Sequence, residues 1–383
     1  MTDQLNRRQL LERAALGGAA LTLPGILAAC GGSSTKAGGS TVSHTLAKTL
    51  RFSNWTLYID VKGQKHPSLD QFQKKTGVHV QYTEDINDNA SYFGKIRGPL
   101  SQGHSIDRDI IVMTDNSRYP SLLIKKGWVE KLDKSAIPNI KNLLPTQRHP
   151  NWDPNRDYSL PWQSGMTGIG FNTKLTDPVE SIDDLLGNPK LKGKVTLLNE
   201  MADTLSLVML SNGDDPAHVT DKTFDKAIKK IKKAVDSGQV RQFTGNDYSG
   251  PLAKGDLAAA MAWSGDIVQL QSSNKHLEWN LPKDGGDIWT DNMLIPTGGD
   301  VFTASTYMNF VYDPKIAAEI EDYVNYICPV VGAKQVLLKE DPAIANNVLI
   351  FPTKKMLDNV HIIDAKALNN EKYLKTWQDL ISA

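Results

Sequence analysis

From Leu46 onward the sequence alternates short apolar runs with helical segments, and this order restricts the fold more than any other feature. "TLRFSNW" (Thr49 to Trp55) reads as a strand. "PSLDQFQKKTG" (Pro67 to Gly77) opens on proline, places Leu69 and Phe72 on one face and closes on glycine, all helix signals. "VHVQY" (Val78 to Tyr82) and "RDIIVMT" (Arg108 to Thr114) follow as strands, the second apolar enough to be buried on both faces. Strand, helix, strand, helix, strand predicts an α/β chain with a parallel sheet and right-handed crossovers. A second such set follows. "GIGFN" (Gly168 to Asn172), "GKVTLLN" (Gly193 to Asn199) and "LAAAMAW" (Leu257 to Trp263) are strand-like. Between them, Asp221 to Gly238 forms an amphipathic helix whose apolar face is Phe224, Ile228, Ile231 and Val235. Another helix starts at the Asp313 cap with Pro314 in first position and is expected to run until Pro329 stops it. At 383 residues the chain exceeds one ordinary core and suits two domains.

Forty-three basic and forty-three acidic residues cancel, so the basic excess of a nucleic-acid-binding surface is missing. The six lysines of the 221–238 helix fall outside its apolar stripe and form a solvated face. The eight histidines are scattered with no pair at ligand spacing, which argues against a metal site. "DINDNA" (Asp85 to Ala90) begins like a calcium loop, but it lacks the glycine at the sixth position, and Ile96 stands where the bidentate glutamate belongs. "GMTGIG" (Gly165 to Gly170) has no Lys-Ser/Thr finish, and no Gly-x-Ser-x-Gly elbow occurs. No enzyme chemistry and no cofactor are expected.

The N-terminus differs from the rest. Arg7 and Arg8 precede a mild apolar run, Ala14 to Ala29, that is too short and too rich in glycine and proline to span a bilayer comfortably. Residues 1–30 read as an export signal. "LAAC" (Leu27 to Cys30) resembles a bacterial lipobox, which implies cleavage before Cys30 and lipid on its sulfur, and the paired arginines resemble a twin-arginine signal. The Gly/Ser/Thr-rich residues 31–46 then serve as a flexible tether. With Cys30 lipidated, Cys328 has no intramolecular disulfide partner and is expected to be a buried small residue.

Three segments set aromatics beside carboxylates or hydroxyls where predicted strands end: "NWTLYID" with Trp55, Thr56 and Tyr58; "MAWSGDIV" with Trp263 and Asp266; and "GGDIWTDNMLIP" with Trp289 and Asp291. If the last is extended, Trp289 and Asp291 project to one face. In open α/β sheets, ligands bind at the carboxyl ends of strands. A ring beside a carboxylate suits an ammonium group: the carboxylate supplies charge, and the ring supplies cation–π attraction and an apolar wall for methylenes. Each of these tryptophans alone fits a core position equally well. Trp128, Trp152, Trp162, Trp279 and Trp377 do not share the pattern.

Over residues 47 to the end, "LRFSNWTLYID", "IKKGWVEKLDKSAIPNIKNL", "YSLPWQSGMTGIGFN", "SIDDLLGNPKLKGKVTLL", "MAWSGD" and "LPKDGGDIWTDNMLIP" resemble, in order and spacing, the extracytoplasmic spermidine/putrescine-binding proteins of ABC importers. The resemblance implies a two-lobed α/β type II periplasmic-binding-protein fold with a hinge between the lobes: residues 47–165 with 290–335, and 166–289 with 336–383. It also implies a polyamine ligand, ABC permease subunits as partners, a monomer, and a location outside the cell membrane, held there by lipid. By position, Trp55, Thr56, Tyr58, Thr114, Trp263, Asp266, Trp289 and Asp291 would form the ligand site. The chain departs from the family pattern at several points. Leu57 stands at a position often acidic, Asn116 where an aromatic is expected, and Met201 and Thr204 where two acidic residues align, with Glu200 and Asp203 beside them. Alternatives are another solute (an amino-acid derivative, a quaternary amine, a compatible solute or an iron complex) and an exported hydrolase.

Overall fold

The first crossover unit follows the expected order. Thr49–Trp55 forms β1, Pro67–Thr76 α1, His79–Ile86 β2, Asn89–Ser101 α2, Ile110–Thr114 β3 and Tyr119–Lys125 α3 in the computed structural model, which describes residues 44–382. The export signal 1–30, Cys30 and all but the last residues of the predicted tether lie outside the described residues. Gly77 ends α1 in the left-handed region at φ 77°, donating its N–H to the Gln73 carbonyl. Asp88 caps α2 by accepting from the Ser91 N–H at 2.7 Å. β1 runs parallel to both β2 and β3.

The second unit comprises β4 (Ser159–Asn172), α4 (Ile182–Gly187), β5 (Val195–Leu198), α5 (Met201–Ser211), α6 (Asp221–Asp236), β6 (Val240–Thr244), α7 (Ser249–Lys254), β7 (Ala259–Trp263) and α8 (Ser264–Gln271). β5 runs parallel to β6 and β7. After β8 (Leu277–Asn280) comes β9 (Gly286–Leu294), then α9 (Val301–Val311), α10 (Pro314–Val324) and, near the end, β10 (Val360–His361).

All ten strands join one sheet, with the main path β2-β1-β3-β9-β4-β7-β5-β6. The two parallel groups lie at the ends, and β9 and β4, antiparallel to each other and to their neighbours on this path, run between them, with β10 added parallel to β9. These two long strands are the only ones shared by both halves of the path, which is the two-lobed α/β architecture with its crossing segments at the centre.

Two elements differ from their sequence expectation. β4 has fourteen residues, all buried, where only Gly168 to Asn172 had the look of a strand. Its first half, "SLPWQSG", contains turn formers, yet Pro161 sits where the β4–β9 register shifts, so the ladder does not need its missing N–H. α10 stops at Val324, not at Pro329, because Asn325 turns left-handed at φ 60° and returns its N–H to the Glu321 carbonyl. That early stop turns Tyr326 out of the helix. Cys328 is a buried free thiol.

Candidate ligand site at the strand ends

The carboxyl ends of the parallel strands converge on one cavity. Trp55 is the last residue of β1, Thr114 of β3 and Trp263 of β7, while Glu200 and Asp203 follow β5 and Asn246 follows β6. β9 contributes Trp289 and Asp291, both on its cavity face as the two-residue period requires. Together with Thr56, Tyr58, Asn89, Asn116, Asp266 and Tyr326 they line one narrow cavity.

Five rings form a continuous belt. Trp55 meets Trp263 edge-on with centroids 5.8 Å apart, Trp263 meets Trp289 at 6.1 Å, Trp289 meets Tyr326 at 5.7 Å, and Tyr326 meets Tyr58 at 5.0 Å. The three edge-to-face contacts, all but the tilted Trp289–Tyr326 pair, each add about 0.5–1.5 kcal/mol beyond the area they bury. Small residues make room for the belt. A Cβ on Gly165, opposite Trp289 in the β4–β9 ladder, would lie 2.4 Å from the indole, and one on Gly265 would lie 2.2 Å from the Tyr326 ring.

Among the described residues, four carboxylates line the same cavity and no lysine, arginine or histidine does. Asp291 accepts from the Tyr58 and Thr114 hydroxyls, each at 2.7 Å. Asp266 accepts from Asn246 and Tyr248 on one oxygen, both at 2.7 Å, and from Tyr326 at 2.6 Å on the other. Glu200 accepts the Asn89 backbone N–H at 2.7 Å and the Asn89 amide at 2.8 Å. Asp203 accepts from the Trp263 indole N–H at 3.0 Å, from Thr167 and from Asn116. Thr167 in turn accepts the Trp289 indole N–H at 3.0 Å, so one carboxylate anchors two walls of the belt.

Burial dominates the acidities. It pushes Asp266 up to about 6, Asp291 to about 7 and Glu200 to about 8, while the hydrogen bonds they accept pull the other way. Asp203 is raised for the same reason. The Tyr58, Tyr248 and Tyr326 hydroxyls are pushed well above 10, first by burial and then by the acids beside them, and so stay donors. Negative charge here has hydrogen-bond donors but no counter-cation.

Trp55, Thr56, Tyr58, Thr114, Trp263, Asp266, Trp289 and Asp291, the eight positions singled out in the sequence, all line this cavity. Met201 and Thr204, aligned with the family's acidic pair, do not line it, and Thr204 turns away to donate to the Leu198 carbonyl at 2.7 Å. Glu200 and Asp203, one residue earlier in each case, point in instead and keep the three-residue spacing that puts two side chains on one helix face. Sequence reasoning did not single out Asn89, Asn246 or Tyr326. Asn89 lies in the rejected calcium-like stretch, Asn246 in a loop, and Tyr326 inside what read as helix.

A family model described as bacterial extracellular solute-binding protein matches residues 68–353, most of the chain. The chain belongs to this family. Among the relatives of this solute-binding protein, the spermidine/putrescine-binding periplasmic protein of Salmonella typhimurium is 28% identical over 335 residues, covering 85% of this chain and 91% of its own. A putrescine-binding periplasmic protein of Pseudomonas aeruginosa is 28% identical over 362 residues, covering 88% and 92%. A Listeria monocytogenes structure assigned to spermidine/putrescine ABC transport superposes with a TM-score of 0.74 at 27% identity, covering 88% of this chain and 98% of its own. The two relatives are named as periplasmic binding proteins, and the Listeria structure as belonging to an ABC transporter. Among the described residues no helix is long and apolar enough to cross a membrane.

Proposed function

We propose that this solute-binding protein captures a linear polyamine, spermidine or putrescine, between its two lobes and delivers it to an ABC permease. The observation that carries the reading is the lining itself: four buried carboxylates, a belt of five rings and no cationic side chain. A buried charge is costly unless paired, and a protonated amine is the partner this cavity lacks. Asp291 pairs with one ammonium group and Asp266 with another, while Trp55, Trp263 and Trp289 enclose the methylenes; Thr56, Tyr58 and Thr114 complete the wall. An anionic or zwitterionic solute would find no positive side chain for its carboxylate. A quaternary amine would use the rings but leave the hydrogen-bonding capacity of the acids unmet.

Closure brings residues 47–165 with 290–335 against residues 166–289 with 336–383, the change taken up in β4 and β9. Export by the N-terminal signal and lipid on Cys30 place the receptor, as a monomer, on the outer face of the membrane. A thermal-shift screen tests the ligand class. Putrescine or spermidine at about a hundred times its Kd stabilises the fold by about 2.7 kcal/mol. Stabilisation by γ-aminobutyrate, choline or a sugar with none from either polyamine overturns the reading.

A further inference from the structure

Asp287 lies two residues before Trp289 on β9, so its side chain leaves the sheet on the cavity face. It is fully buried. Its Oδ2 accepts one hydrogen of the Asn116 amide at 2.9 Å, and Asp203 Oδ2 accepts from the same nitrogen at 3.2 Å. With both hydrogens taken by carboxylates, a rotated amide would set its oxygen against two acids, so the orientation of Asn116 is fixed. Asn116 lines the cavity, and among the described residues none donates to its carbonyl oxygen.

Asp287 has no cation beside it. Burial, then the neighbouring Asp203 and Asp115, pushes its carboxyl well above the usual range, while Asn116 and Ser206 face it as hydrogen-bonding groups. Its Oδ1 and the Ser206 hydroxyl are otherwise buried without partners.

We propose that Asp287 is a positioning residue which, acting through Asn116, presents a carbonyl acceptor to the cavity, and that this acceptor takes an N–H of the third amine of a triamine. The inference rests on the polyamine reading above. A diamine engages Asp266 and Asp291 with its two ammonium groups and has no further amine for Asn116. A triamine has one, and Asn116 thereby sets the preference between them.

The test compares spermidine and putrescine by calorimetric titration of the wild type, Asn116→Leu, Asp287→Asn and Asp287→Leu. Asn116→Leu lowers spermidine affinity about 10- to 100-fold, the worth of one hydrogen bond from a charged donor, and leaves putrescine nearly unchanged. Asn116→Ala, which removes the acceptor without adding bulk, gives the same loss should the leucine variant not fold. Asp287→Asn keeps the wild-type ratio of affinities, since its oxygen still accepts from Asn116 and its amide reaches Ser206. Asp287→Leu reproduces the Asn116→Leu ratio. An unchanged ratio in the Asn116 variants, or an Asp287→Asn variant that behaves like Asp287→Leu, overturns the proposal. A wild type that binds neither amine fails earlier and takes the polyamine reading with it.

Discussion

Asparagine at position 291 should separate binding from folding, because the charge that holds the ligand works against the empty protein. Asp291 is 3% exposed and is pushed from its ordinary 3.8 up to about 7, chiefly by burial. For a carboxyl raised on folding, the stability is fully present below 3.8 and is lost as pH rises through about 7. The gap is about three units at about 1.4 kcal/mol each, so ionised Asp291 costs the ligand-free fold about 4 kcal/mol near pH 8. Asparagine removes that cost at nearly the same volume, and the Tyr58 and Thr114 hydroxyls, now 2.7 Å from the carboxylate oxygens, can turn to suit the amide. The ligand loses instead. An ammonium about 4 Å from a carboxylate at an effective dielectric of about 20 gains about 4 kcal/mol, or about a thousandfold in Kd. Urea unfolding near pH 5 and pH 8, with calorimetric titration of spermidine and putrescine, reads both effects. The Asp291→Asn variant should be at least as stable as the wild type near pH 8, with the difference shrinking near pH 5, and should bind neither amine measurably. Amine affinity within tenfold of the wild type, or a variant destabilised near pH 8, would refute the reasoning.

Three further outcomes follow from the same geometry. Amine affinity should rise with pH as Asp266, Asp291 and Glu200 ionise through about 6, about 7 and about 8, while ligand-free stability falls over that range; titrations and melts across it should move in opposite directions. Gly265→Ala drives a Cβ into the Tyr326 ring, which must leave its 2.6 Å bond to Asp266, so affinity should drop by about tenfold or more while the far-ultraviolet circular dichroism stays unchanged. Trp263→Phe removes an indole N–H from Asp203 and part of the cation–π face, and should cost about 3- to 30-fold in affinity by calorimetry.

Much of this arrangement is legible in the sequence, for identifiable reasons. Strand periodicity puts Trp289 and Asp291 on one face without any knowledge of what surrounds them, strand ends predict where Trp55 and Trp263 gather, and the family resemblance adds Thr114. What was missed depends on contacts made at long range. The first half of β4 is strand because β9 covers it, although its Pro, Ser and Gly argue locally for a turn. Tyr326 enters the cavity only because Asn325 leaves the helical region, and nothing in "EDYVNYICP" marks Asn325 over Pro329 as the stop. The one-residue offset that brings Glu200 and Asp203 inward is set by where α5 begins after β5, a boundary that periodicity locates poorly.

Calorimetric titration of the wild-type protein with spermidine at neutral pH is the most direct measurement of the central claim. A saturable, one-to-one heat that disappears when Asp266 and Asp291 are both replaced by asparagine is the predicted result. The absence of any saturable heat with spermidine or putrescine, from protein whose circular dichroism shows it folded, would contradict it.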